Sequence, residues 1–290
     1  MNKLIKLADG RPMPALGLGT LFLKDAKAIQ HAIVNVGYRH IDTASITMNE
    51  KEVGEAIKGA AAAGVHRDEI FVTTKLWHNG YSDPEAALRK SLSALQLEKV
   101  DMYVIHWPNN FFVSPKIPMH LLWQRIESLV DLGLTGGIGF SNFNIQLSAD
   151  VMTYARHMPL YNQLQLNPYN TQTDSLAFMK ANEIAVVASS PLGRLGSKVG
   201  PKGTSDITKE PIIVEIAAKH GKRPAQIVLA WGLSRGTAVI PKAASPEHQK
   251  ENFEAQSIEL SADEIKSISS LNRGEILFKS SPDVKFNMFQ

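Results

Sequence analysis

The sequence predicts an α/β fold of the (β/α)8 TIM-barrel type with an N-terminal β-hairpin cap, on three observations. Short β-rich runs alternate with longer stretches of helical period, which implies a parallel sheet. The alternation continues to about eight strands, the number that closes such a barrel. No G-x-G-x-x-G follows an early strand, so the nucleotide turn of an open doubly wound sheet is missing.

The hairpin is read from KLIKLADGRPMP, two short extended stretches around the turn Asp9-Gly10, and it caps one barrel end over residues 1–14. LGLGT supplies the first barrel strand. RHIDTA, IFVTTKLW and VDMYVIHWP follow as strands. Their helices are NEKEVGEAIKGAAAAG, DPEAALRKSLSALQL and MHLLWQRIESLVDLG.

The second half repeats the pattern. GGIGFSN precedes a helix near Ser148 to His157, YNQLQLNP one near Asp174 to Ala181, IAVVASSP one near Ile212 to His220, and AVIPKA one near Pro246 to Phe253. Residues 193–211, rich in Gly, Ser, Lys and Pro, form the longest stretch without a strand or barrel helix, and long loops in compact domains are commonly functional.

Composition narrows the function classes. With 290 residues, 44% hydrophobic and 20% charged, one barrel domain over residues 1–290 with a sizeable core is expected. The net charge of +3 is small and the lysines are scattered, which argues against nucleic acid as a partner. There is no cysteine, hence no disulfide framework or thiolate metal site, and no metal is expected. MNKLIKLADGRPMP fits neither a signal h-region nor a membrane span, so a soluble, cytoplasmic protein without membrane partners is expected.

In a barrel of this kind the catalytic face is built from strand C-termini. Asp42 closes RHID, Lys75 closes FVTTK and His106 closes MYVIH, on three adjacent strands. Alone, the Asp reads as a cap, the Lys as a solvated strand end and the His as structural. Together they must converge on the barrel mouth, where a buried Lys needs a carboxylate and Asp42 supplies one.

The stretches GYRHIDTA with NEKEVGEAI, TTKLW, VIHWP, GGIGFSNF, NQLQLNPY, SPLG and VIPKA, in this order and spacing, resemble the aldo-keto reductase superfamily over nearly the whole chain. The resemblance implies NADPH/NADP+ lying across the C-terminal face and hydride delivery to an aldehyde or ketone. It also implies a tetrad of Asp, Tyr, Lys and His. Asp42, Lys75 and His106 match three positions, but Thr47 stands where the family has its tyrosine.

That tyrosine is the family's acid, its phenol pKa of about 10 lowered by the neighbouring Lys; an alkyl hydroxyl is far too weak an acid to replace it. Of the other tyrosines only Tyr81, in HNGYS, falls in a catalytic-face loop, where packing at a helix start is the simpler reading. His106 is the expected substitute, giving a proton directly or through a water held by Thr47.

For the cofactor, the resemblance assigns Gly19, Thr20 and Asp42 to its site, and the nicotinamide carboxamide to Ser141, Asn142 and Gln163. Ser189 stands where an aromatic ring usually stacks, a loss of about 1 kcal/mol. Leu192 and Gly193 begin the 193–211 loop expected to cover the pyrophosphate, with Ser197, Lys198 and Lys202 as donors. Lys242 matches the phosphate-binding Lys, Ala243 stands where a serine is common, His248 replaces an arginine, and Glu251 and Asn252 would hold the adenine. A neutral His is a weaker phosphate partner than Arg, so the preference for NADP(H) over NAD(H) should narrow.

Substrate walls are expected from Leu21, Trp77, His106, Trp107 and the tail over residues 271–290, in particular Phe278 to Phe289; this apolar set suits small apolar carbonyl compounds. The leading reading is an NADP(H)-dependent oxidoreductase, expected to be a monomer, that reduces a carbonyl, imine or activated alkene with a noncanonical proton donor. The alternatives are non-redox lyase, isomerase or cyclase chemistry on the same barrel, and a cofactor-binding protein without turnover. A single changed residue in an ordinary reductase would also leave Thr47, but Ser189 and His248 point to wider divergence.

Overall fold

Alternation of β-rich runs with amphipathic helices does produce a barrel, seen in a computed structural model that describes residues 2–108, 116–193 and 206–277. Strands β1 (Leu4–Lys6) and β2 (Pro12–Pro14) pair antiparallel, with Leu4 opposite Pro14. Their turn is closed by the amides of Leu7 and Gly10, which donate to Arg11 O and Leu7 O at 2.9 Å each.

The barrel strands are β3 (Leu18–Gly19), β4 (His40–Asp42), β5 (Phe71–Leu76), β6 (Met102–Ile105), β7 (Ile138–Ser141), β8 (Tyr161–Gln165), β9 (Ala185–Ser189) and β10 (Ala238–Val239). Each pairs parallel with the next. The last meets the first: Leu16 bridges Val239 in parallel, Gly17 N donates to Val239 O at 2.9 Å, and Gly19 N donates to Pro241 O at 3.1 Å. Closure requires glycine at 19, because a Cβ there would lie 2.6 Å from Ile240 O.

Around the strands run α1 (Ala26–His31), α2 (Glu50–Ala62), α3 (Pro84–Leu95), α4 (Met119–Asp131), α5 (Ile145–Tyr154), α6 (Thr173–Ala181), α7 (Pro211–His220), α8 (Pro224–Ser234), α9 (Pro246–Glu254) and α10 (Ala262–Ser269). Helix α5 starts earlier than its apolar period suggests, because Asn144 Oδ1 caps it by accepting from Leu147 N at 2.9 Å. It stops at Tyr154, where Ala155 turns extended.

Three helices were absent from the sequence reading. Helix α8 buries every residue from Gln226 to Gly232, so it lacks the polar stripe that marks a surface helix. Helix α10 carried a readable signal, the capping box in which Ser261 Oγ accepts from Glu264 N and Glu264 Oε2 accepts from Ser261 N. Helix α1 is short and is capped by Asp25, then widens into a π turn over Ala32–Val36.

The core is large. Trp123 packs on Phe140 with ring centroids 5.8 Å apart, and both are fully buried, as are Trp231, Phe143 and Tyr38. Each such side chain contributes about 1.5–3 kcal/mol relative to exposure. Among the described residues no helix is long and apolar enough to cross a membrane.

Candidate active site

Strand pleat decides which side chains reach the barrel interior. In β4, His40 and Asp42 flank Ile41, so both ionisable residues share the inward side, and in β8 Tyr161 and Gln163 do the same. Tyr161 donates to Thr73 Oγ1 at 3.1 Å, and Gln163 Nε2 donates to Asp42 Oδ2 at 2.7 Å across the barrel. The other Asp42 oxygen, Oδ1, accepts from Lys75 Nζ at 2.5 Å.

Both members of that ion pair are buried, with side-chain exposures of 4% for Lys75 and 7% for Asp42. A charge so placed survives only with close partners, and Lys75 takes Thr43 O at 2.9 Å as a second acceptor. Its third N–H has no acceptor among the described residues. Asp42 is held in turn through its backbone carbonyl, which accepts from Thr20 N and Thr20 Oγ1 at 3.0 Å each.

His106 follows β6 directly, and its ring meets Trp77 edge-on at 5.1 Å between centroids. Its Nδ1 is buried without a hydrogen-bond partner among the described residues. Burial, followed by the charges of Lys75 and His78, holds its pKa well below the ordinary imidazole range. A lowered pKa weighs against the expected proton donation from an imidazolium at His106. Protonation would leave a buried N–H unpaired beside an ammonium, so the ring is neutral and can act as a hydrogen-bond donor.

Thr47 occupies a single 3-10 turn, Ser45–Thr47, after β4. Its Oγ1 lies 2.5 Å from Ala44 O and 2.5 Å from Asn49 Oδ1, two acceptors for one hydroxyl proton. The hydroxyl proton has two protein acceptors in reach, which weighs against Thr47 as a donor to substrate. Tyr81, the other candidate, is buried and donates to Trp107 O; burial raises its pKa, which bears out packing as its role.

Asn49 was quoted in the sequence reading without a function. It is fully buried, donates Nδ2 to Thr20 O at 2.6 Å and to Leu23 O at 2.9 Å, and accepts on Oδ1 from Thr43 at 3.0 Å as well as from Thr47. One amide thus ties the β3–α1 loop to the β4–α2 loop. Phe22 and Met48 on these loops hold φ of 60° and 48°, left-handed values that a bulky side chain keeps only when its surroundings over-determine it.

Those loops carry exposed apolar groups: Leu21 at 41%, Phe22 at 56%, Ile46 at 42% and Met48 at 76%. Leu21 was expected here; Phe22, Ile46 and Met48 were missed, since a lone apolar residue in a loop gives no periodic signal. Trp77 and Trp107 are half-buried. The tail residues from Phe278 to Phe289 lie outside the described residues.

The donor set expected to hold a nicotinamide carboxamide is gathered at the ends of β7 and β8. Ser141 Oγ donates to Gln163 O at 2.9 Å, and Asn142 Nδ2 donates to Ser141 Oγ at 3.0 Å and to His106 O at 2.9 Å. Asn142 holds φ of 62° to do so. These bonds leave Asn142 Oδ1, Gln163 Oε1 and one Gln163 N–H to face an amide, a complementary set for a carboxamide.

Lys242 follows β10 and His248 lies in the first turn of α9, both exposed, beside the N-cap Ser245 that accepts from His248 N at 3.2 Å. A lysine at a helix N-terminus suits a phosphate, although Glu247 in the same turn opposes it. The two expected adenine residues differ. Glu251 is ion-paired to Arg223 Nε at 2.6 Å, whereas Asn252 is buried.

Other expected cofactor residues fare unevenly. Thr20 is fully buried and holds Asp42, so it has no surface for a ligand. Ser189 is half-buried at the end of β9 opposite Gln165, while Leu192 and Gly193 follow it, Gly193 at φ of 63°. Within the stretch expected to cover the cofactor, a 3-10 turn over Ile207–Lys209 leads into α7 at Pro211. Ser197, Lys198 and Lys202 lie outside the described residues. Among the described residues no group of three His, Cys, Asp or Glu could hold a metal ion.

The sequence profile of the Aldo/keto reductase family matches residues 15–273. The chain is 39% identical over 280 residues to methylglyoxal reductase DkgA of Yersinia pestis, covering 96% of this chain and 95% of that protein. It is 38% identical to aldose reductase of Encephalitozoon cuniculi, covering 93% of each. It is 37% identical to aldo-keto reductase family 1 member A1-A of Danio rerio, covering 95% of this chain and 91% of that protein.

Proposed function

The chain belongs to the aldo/keto reductase family, and from that premise we propose that it is an NADP(H)-dependent oxidoreductase that reduces the carbonyl, imine or activated alkene of a small apolar substrate without a phenolic acid. One observation carries the reading: the buried Asp42–Lys75 pair and His106 lie at adjacent strand ends while the hydroxyl of Thr47 is hydrogen-bonded to Ala44 O and Asn49 Oδ1.

NADPH, when bound, supplies the hydride. Asn142, Gln163 and Ser141 would hold its carboxamide, and Lys242 and His248 its phosphate. Neutral His106 orients the acceptor atom by hydrogen bonding and stabilises charge that develops on it, as a preorganised donor in a low-dielectric site does. Leu21, Trp77 and Trp107 exclude water and favour an apolar substrate.

Without a phenol, the acceptor should be electron-poor, so that the oxyanion formed is weakly basic. A 2-oxoaldehyde, the substrate type in the name of the Yersinia pestis relative, meets that condition. Family members are commonly cytoplasmic monomers, and the same is proposed here.

The test is titration of NADPH and NADH by nicotinamide fluorescence, then oxidation with 2-oxoaldehydes, plain aldehydes, imines and enones. Binding with oxidation that favours the electron-poor acceptors supports the reading. Binding without oxidation would favour a cofactor-binding protein, and no binding would overturn the cofactor itself.

A further inference from the structure

The chemistry that replaces the phenol follows from counting protons around the mouth. The Thr47 hydroxyl has one proton and two acceptors at 2.5 Å, so it gives none away. Tyr81 is buried and directed at Trp107 O, and Tyr161 is fully buried and directed at Thr73 Oγ1. His106 is neutral, so releasing its only N–H proton would create an imidazolate.

Lys75 differs. It carries three N–H protons, of which Asp42 Oδ1 takes one and Thr43 O another. The third has no acceptor among the described residues. Thr47 is also several ångströms shorter than a tyrosine, and the room so freed would take a substrate oxygen or one water beside that proton.

We propose that Lys75 is the acid of this enzyme, its third ammonium proton passing to the substrate oxygen directly or through one water. The proposal rests on the reading of the chain as an NADP(H)-dependent reductase. As the carbonyl carbon accepts the hydride, the C=O π pair moves onto oxygen, and oxygen takes the proton from Nζ as that N–H bond breaks. The substrate gains two electrons and two hydrogens, NADPH is oxidised to NADP+, and the neutral amine recovers its proton from water. Asp42, whose Oδ1 accepts from Nζ at 2.5 Å, is the positioning residue.

The assignment separates Lys75 from a merely electrostatic role. Arginine keeps a positive charge opposite Asp42 but does not release a proton in proteins. The test compares four proteins: the native chain, Lys75→Arg, Thr47→Tyr and the double variant, each assayed for NADPH affinity by fluorescence and for turnover of a 2-oxoaldehyde.

The expected result is a loss of at least a hundredfold in kcat for Lys75→Arg with NADPH affinity within threefold of native, and recovery of at least tenfold when Thr47→Tyr restores a phenol in that background. Turnover of Lys75→Arg within threefold of native would overturn the proposal. A loss that the tyrosine does not rescue, with NADPH still bound, would overturn it too, since it would place Lys75 in a role other than donor. A native chain that neither binds nor oxidises NADPH would overturn the functional reading and this assignment with it.

Discussion

Thr47 Oγ1 lies 2.5 Å from Asn49 Oδ1, and the same Asn49 reaches through Nδ2 to the carbonyls of Thr20 and Leu23. The residue at the position of the family's acid has thus become part of a loop staple. A hydroxyl this short cannot both brace the loop and serve the mouth.

The staple can be weighed. Asn49→Ala removes two donated and two accepted hydrogen bonds and leaves the carbonyl of Leu23 without its side-chain donor, at about 1–3 kcal/mol for a group so stranded, while Thr20 O keeps Leu23 N at 2.8 Å. The expected loss is about 2–4 kcal/mol in denaturant-derived stability. A loss below about 1 kcal/mol would mean that water replaces the amide.

Thr47→Val is the milder change. It removes one hydroxyl while Thr43 still donates to Asn49 Oδ1, so a cost of about 1 kcal/mol is expected. Turnover should stay within tenfold of native. A hundredfold fall in kcat would assign the hydroxyl a direct part in catalysis.

Asp42→Leu leaves the Lys75 ammonium buried without its carboxylate and frees Gln163 Nε2 as well. Breaking a buried pair from one side costs about 3–5 kcal/mol. Thermal and denaturant midpoints should fall together, and the double change Asp42→Leu with Lys75→Met should recover part of the loss.

Protonation gives a prediction of definite sign. The pKa of His106 is lowered in the folded state from 6.5, so below pH 6.5 the unfolded chain binds the proton first and stability falls as pH falls toward the lower folded value. His40 and His78 are shifted the same way and share the window. Stability measured from pH 7 to about 5 should decline, with a smaller slope in His106→Gln. An unchanged slope would contradict the neutral assignment.

Cofactor preference should respond to the residue in the first turn of α9. His248→Arg adds a bidentate phosphate partner and should tighten NADPH by about tenfold, roughly 1.4 kcal/mol, with little effect on NADH. Fluorescence titration with both nucleotides checks this, and equal tightening of both would place His248 away from the 2′-phosphate.

Most of the fold was readable because strand and helix periods alternate with few interruptions. The exceptions have physical causes. Helix α8 is apolar on all sides and shows no period, and α1 is only six residues long. For α10 the signal lies in the capping box of Ser261 and Glu264.

The site was legible as far as strand ends dictate it. Asp42, Lys75, His106, Ser141, Asn142 and Gln163 fall together because consecutive parallel strands end at one face. What could not be read were partners set by loop geometry: Asn49 beneath Thr47, Thr20 behind Asp42, and Arg223 on Glu251. The His106 ring nitrogen that lacks a partner among the described residues belongs with them, since burial of one atom depends on packing from several elements.

The most direct measurement is a single turnover of NADPH by the native chain with a 2-oxoaldehyde, followed by nicotinamide absorbance beside the Thr47→Tyr variant. The account predicts stoichiometric loss of NADPH and formation of one equivalent of alcohol by the native chain. NADPH that binds but is consumed only after Thr47→Tyr would contradict it, because the groups left at the mouth would then be unable to protonate a substrate.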